Sequence, residues 1–162
     1  KPANEVINLV IKNQIKVQRL QKQLYLFYKM DLKKSKNTSP RIKVIQKLYN
    51  SLMNSDAQID YPKSHYKKYI KDIVTGTLER SDLIEETIKS HLSEDIDLSK
   101  TDKLLKIIIF AAIFELMFKH NTPKKVVISE YLQASEHFLE KIQIGYLNAI
   151  LDKIAKVLRK DE

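Results

Sequence analysis

The sequence predicts an all-α domain of about seven helices, and three observations carry that prediction. Glycine occurs 2 times and proline 4 times in 162 residues, too few for a turn-rich β architecture. The run Leu104–Phe118 (LLKIIIFAAIFELMF) is apolar on nearly every face and is broken only by Lys106 and Glu115. A helix that apolar all round must be enclosed by others, so this run is read as the central helix of a bundle. It is too short and too interrupted to cross a bilayer, which needs roughly 20 apolar residues. Elsewhere, apolar residues recur at helical spacing in segment after segment.

A first helix is predicted from about Asn4 to Leu32, with Val6, Val10, Val17, Leu20, Leu24 and Phe27 on its inner face. Lys12, Lys16 and Arg19 fall at i, i+4 and i+7 and form a basic stripe on another face, with Lys22 nearby; Tyr25 and Tyr28 lie toward its end. The polar, basic stretch Lys33–Pro40 is a linker ended by proline. Ile42, Ile45, Leu48/Tyr49 and Leu52 mark a second helix, and Asn54–Pro62 is a loop. Tyr66, Tyr69/Ile70, Ile73/Val74 and Thr77 mark a third, with Gly76 inside it or at its end. Leu83/Ile84, Ile88 and His91/Leu92 mark a fourth, either separate or continuous with the third. After the acidic link Ser93–Lys100, Ser99 or Thr101 is expected to cap the central helix. Asn121-Thr122-Pro123 restarts the chain, with Thr122 as cap and Pro123 in the first helical position. Val127, Tyr131, Ala134 and Phe138 then share one helical face. The last helix opens near Ile142 and buries Leu147, Ile150/Leu151, Ile154 and Val157/Leu158. No internal repeat is present, and residues 1–162 are read as one domain.

The net charge is +9, unevenly spread. Residues 1–60 hold 12 Lys and Arg against 4 Asp and Glu, a balance of +8, whereas residues 61–162 hold 17 against 16. Two readings stand: a polyanion partner for one face, or a generally lysine-rich composition. Compositional drift raises lysine throughout, and the acid-poor first third argues against it. The basic stripe is likewise either a solvated face or a phosphate-binding one. With no cysteine, a disulfide framework and a thiolate metal site are excluded, and a reducing cytoplasm is the simplest home. His65, His91, His120 and His137 have no ligand spacing, and no glycine-rich phosphate loop exists, so no metal, cofactor or catalytic residue is expected. Glu115 is the polar exception in the central run. A buried carboxylate serves either as an acid or base or as a structural partner; the structural reading is preferred, with Lys119 one turn on as the expected partner.

Several pieces occur in an order known elsewhere. They are Tyr28-Lys-Met-Asp-Leu32, Tyr69 with Ile73-Val74 and Gly76, Ile84-Glu85 with Ile88 and Leu92, Ala112-Ile-Phe-Glu-Leu116, Pro123–Glu130, Phe138, and Tyr146-Leu-Asn-Ala-Ile-Leu-Asp-Lys153. Together they resemble the NusB transcription-antitermination family. The resemblance implies an all-helical bundle of two packed subdomains and a non-catalytic glutamate at Glu115. It also implies an RNA-contacting basic motif in the first helix. The RNA partner implied is boxA-type rRNA leader RNA, bound together with ribosomal protein NusE in an antitermination complex with RNA polymerase. The family's aromatic at the position of Tyr146 contacts bases; a ring packed at a helix edge is the alternative. The candidate RNA-binding residues are therefore Lys12, Lys16, Arg19, Lys22, Tyr28 and Tyr146.

There are departures from the family pattern. Lys16–Lys22 holds one arginine where the family has a dense arginine cluster, and lysine offers a point charge in place of a planar fork. Ser129, Leu139, Gly145 and Ala149 also depart, Leu139 standing where a glycine usually ends a helix. Three functional readings follow: an antitermination factor without enzymatic activity, an RNA-anchoring domain of an rRNA methyltransferase, or a helical interaction module without RNA specificity. The chain ends soon after the last helix, which favours the first.

Overall fold

The structure, a computed structural model, describes residues 3–8, 10–12, 14, 39–56 and 58–162. Its regular secondary structure is entirely helical, with no strand among the described residues. The chain divides into two units, Lys1–Lys36 and Asn37–Glu162.

In the first unit residues 3–8, 10–12 and 14 are helical and exposed. Val6 and Val10, expected on an inner face, are about half exposed, as are Ile7 and Ile11. Periodicity marks an apolar stripe but does not supply the surface that buries it. Val17, Leu20, Leu24, Tyr25 and Phe27 lie outside the described residues.

Among its described residues the second unit holds six helices: α1 (Pro40–Met53), α2 (Lys67–Glu79), α3 (Ser81–His91), α4 (Lys103–Phe118), α5 (Lys124–Ser135) and α6 (Lys141–Leu158). The apolar run forms α4, which packs against each of the other five. Residues Ile108–Leu116 of this helix are all buried, Glu115 among them. Burying that uninterrupted surface is the main hydrophobic gain of the fold.

Each helix begins and ends for a local reason. Ser39 accepts a hydrogen bond from Arg41 N (3.3 Å) and Pro40 fills the first turn of α1. Arg80 (φ −103°, ψ 15°) interrupts the helix, so α2 and α3 are separate, and Gly76 sits inside α2. There a Cβ would lie 2.1 Å from Phe114 Cζ, so only glycine lets the Phe114 ring of α4 seat against α2. Leu52, expected inside, is exposed at the end of α1, and Tyr66 is exposed at the residue preceding α2.

Two expected caps are replaced. Asp102 is the residue that precedes α4, and the hydroxyls of Ser99 and Thr101 are both donated to Asp97, to Oδ1 (2.5 Å) and to the carbonyl (2.7 Å). Pro123 precedes α5 and Lys124 begins it; the Lys124 N–H is met by Glu162 Oε2 at 2.8 Å, not by Thr122. Leu139 needs no glycine conformation. No described residue has positive φ, and Leu139 N–H bonds Ser135 O (2.8 Å) while its side chain is buried.

Candidate nucleic-acid interface

The polar chemistry of the second unit falls into an interior set and a surface set. In the interior, Glu115 is fully enclosed and is gripped by Arg41 of α1, with Nε to Oε2 at 3.1 Å and Nη2 to Oε1 at 2.8 Å. The Tyr69 hydroxyl of α2 donates to Glu115 Oε1. Arg41 lies over the Tyr69 and Tyr131 rings, 5.4 and 5.6 Å from their centroids, and reaches Glu130 of α5 at 3.6 Å. Burial works against the Arg41 charge, but the Glu115 carboxylate outweighs it and raises the pKa. Burial first, then Glu115, also push the Tyr69 and Tyr131 phenols up, so both stay neutral. The fully buried Tyr131 hydroxyl faces this carboxylate outside hydrogen-bond geometry.

Glu115 is thus a structural partner, but of Arg41. Lys119 pairs instead with Asp72 of α2 at 3.8 Å. A helical i, i+4 carboxylate–lysine spacing is a surface rule. The carboxylate here points inward, where a bidentate guanidinium also satisfies its lone pairs.

A second arginine, Arg159, is buried at the C-terminal end of α4. It donates to the carbonyls of Leu116 (2.5 Å), Lys119 (3.0 Å) and Glu115 (3.2 Å), adding to the backbone N–H groups of Lys119 and Thr122 that already bond the last two at 2.9 Å (Glu115) and 3.1 Å (Lys119). Sequence reasoning missed both arginines, although a signal existed. The chain has 4 arginines among 29 basic residues. Of the three in the second unit, Arg41 and Arg159 occupy buried sites that use the planar fork, and Arg80 lies 5.0 Å from the Phe118 ring centroid.

On the surface, α6 presents Ile142, Gly145, Tyr146, Ala149 and Lys153, all exposed and at helical spacing. Tyr146 is 37% exposed, with its hydroxyl donated to the carbonyl of Asp95 at 2.7 Å. Lys153 Nζ meets Asp95 Oδ2 at 2.6 Å. Gly145, one of the departures, opens this face: a Cβ there would meet nothing within 4 Å. Behind the link that carries Asp95 lies a cleft of about 460 Å³, lined by Ile88, Lys89, Ile96, Ser99 and Lys106 among others. No group of His, Asp and Glu suited to a metal ion occurs among the described residues.

Of the candidate RNA-binding residues, Tyr146 stands in the second unit and Lys12, exposed, in the first. Lys16, Arg19, Lys22 and Tyr28 lie outside the described residues. Asp95 was not foreseen, because its partners Tyr146 and Lys153 are 51 and 58 residues away.

The fold defines an all-helical domain wrapped around one buried helix, and solved structures contain the same arrangement. A NusB structure from T. maritima superposes with a TM-score of 0.63 at 21% identity, covering 75% of this chain and 93% of that one. The sequence profile of the NusB family matches residues 23–156. Transcription antitermination protein NusB of Rickettsia conorii is 33% identical over 121 residues, 70% of this chain and 75% of that protein. Its counterpart in Rickettsia typhi is 31% identical over 146 residues, 75% of this chain and 92% of that protein. The chain belongs to the NusB family. No helix among the described residues is long and apolar enough to cross a membrane.

Proposed function

We propose that this chain is an RNA-binding transcription antitermination factor that performs no chemistry of its own. Residues 1–162 act in the cytoplasm as one NusB-like domain, binding boxA-type leader RNA together with ribosomal protein NusE and joining an RNA polymerase antitermination complex. The observation that carries this reading is the family match over residues 23–156, which includes the Tyr146 face of α6 and begins just after the basic stripe of Lys12, Lys16, Arg19 and Lys22. Two features support it. The first 60 residues carry a charge of +8, and Tyr146 offers a part-exposed ring beside Lys153. Cations give affinity for phosphates without reading sequence, while rings stack on unpaired bases. With its arginine motif thinned to Arg19, the protein alone binds weakly, and specificity arises when the partner adds a second surface to the same RNA.

The test is a titration of labelled boxA-like and scrambled RNAs, each with and without NusE. Binding alone is expected to be weak and strongly salt-dependent, with a preference for the boxA-like RNA emerging in the ternary mixture. RNA must then tighten the protein–protein contact by the same factor. Equal affinity for both RNAs in the ternary mixture would remove the antitermination reading and leave a bare interaction module.

A further inference from the structure

The geometry points to Asp95 as a positioning residue that, held by Lys153, clamps Tyr146 so that its ring face and not its hydroxyl meets an unpaired RNA base. This rests on the RNA-binding reading above and deepens it.

The link carrying Asp95 is itself fixed. The N–H groups of Asp95 and Ile96 both bond Leu92 O at 3.0 Å, and the side chains of Leu92 and Ile96 are buried. Downstream, Asp97 holds Ser99 and Thr101. The Asp95 carbonyl is held in two ways, by these backbone bonds and by the Lys153–Asp95 bridge that ties the link to α6, and the single proton of the Tyr146 hydroxyl is given to it. A hydroxyl so engaged has no proton left for a base edge. The oxygen can then only accept, and the larger contact left open is the exposed part of the ring, on which stacking tolerates any base.

Lys153 has two effects. At 2.6 Å it ties the Asp95 carboxylate to α6, one helix carrying both the tethered ring and the cation that anchors the tether. It also neutralises a carboxylate that would otherwise repel a phosphate backbone next to the ring. A phenylalanine here would keep the ring but lose the tether. The clamp thus depends on this chain having tyrosine.

The test is the affinity of labelled boxA-like RNA, with NusE present, for wild type, Asp95→Ala, Tyr146→Ala and the double variant. Asp95→Ala keeps the carbonyl and removes a negative charge from a surface that meets a polyanion, so electrostatics alone would tighten binding. The clamp demands the opposite: about three- to tenfold weaker binding, because the ring must be ordered on association. In the Tyr146→Ala background the same substitution has no ring left to misplace, and the loss should vanish. Tyr146→Phe should fall between wild type and Tyr146→Ala. Asp95→Ala binding as tightly as wild type or more so overturns the clamp alone. A loss that persists in the Tyr146→Ala background also overturns it, by showing general damage to the link. Wild type that binds neither RNA, with or without NusE, removes the proposed function itself and the clamp's role with it.

Discussion

Arg41, Glu115 and Tyr69 in the interior and Lys153, Asp95 and Tyr146 on the surface are built from the same kinds of part: a cation, an acidic residue and a phenol. Their surroundings differ. The side chains of the interior pair are 9% and 0% exposed, those of the surface pair 53% and 32%. Inside, the cation is a planar guanidinium that makes two hydrogen bonds and lies over two rings, and the phenol donates to the carboxylate itself. Outside, the cation is an ammonium making one contact, and the phenol donates to a backbone carbonyl. Desolvation makes the interior set indispensable to folding, since an unpaired charge there is costly. Solvent makes the surface set nearly neutral for folding, and so leaves its ring free to serve a partner.

The hardest way to break this contrast is Arg41→Ala. It leaves the Glu115 carboxylate enclosed without its cation, and urea unfolding should show a loss of about 3–5 kcal/mol. Arg41→Lys should recover only part of it, because one ammonium cannot reproduce the fork. A loss near zero would mean that the interior pair is no more important than a surface pair.

Next comes the seam beside the interior set. Gly76→Ala would force the Phe114 ring off α2, at a cost of about 1–3 kcal/mol. Adding Phe114→Leu should make the alanine cheaper than it is alone, as read from melting midpoints. Purely additive effects would show that the ring is not what glycine accommodates.

The interior phenols can be separated by pH. Tyr69 and Tyr131 are held above the ordinary value of 10.0 when folded, so the stability they contribute is complete below pH 10 and is lost as pH rises past it. Tyr69→Phe should cost about 1–3 kcal/mol at neutral pH, by removing a donor to Glu115. It should also flatten the alkaline fall. An unchanged slope in denaturation followed from neutral pH to about pH 11 would exclude Tyr69 from that fall.

The smallest effect sharpens the contrast from the other side. Lys153→Met should change stability by less than about 1 kcal/mol, and the difference should fade in high salt. A larger, salt-insensitive loss would place the surface set with the interior one.

Much of this molecule was legible as pattern. Leu104–Phe118 announced a central helix, and the stripes of α1, α5 and α6 announced the faces that cover it. Tyr146 stood out because its motif carried a resemblance. The sequence marks Glu115 as a structural residue but offers Lys119 as its partner in place of Arg41, and it offers the nearest hydroxyls as caps of α4 and α5. The misses share a cause. Side-chain pairing was read from sequence neighbours, while Arg41 and Glu115 are 74 residues apart and Arg159 reaches a carbonyl 44 residues away.

The sequence by itself determined the fold class, the central helix, the polarity of charge and, through its motifs, the family. These depend on period and composition, which are local properties of the chain. Tertiary structure decided which cation meets Glu115, what closes the end of α4, why Gly76 is glycine, and where the Tyr146 hydroxyl is bound. Charge and hydrogen-bond pairing act over a few ångströms in space whatever the separation along the chain, so only the packed helices select among 29 basic residues the one that a given carboxylate meets.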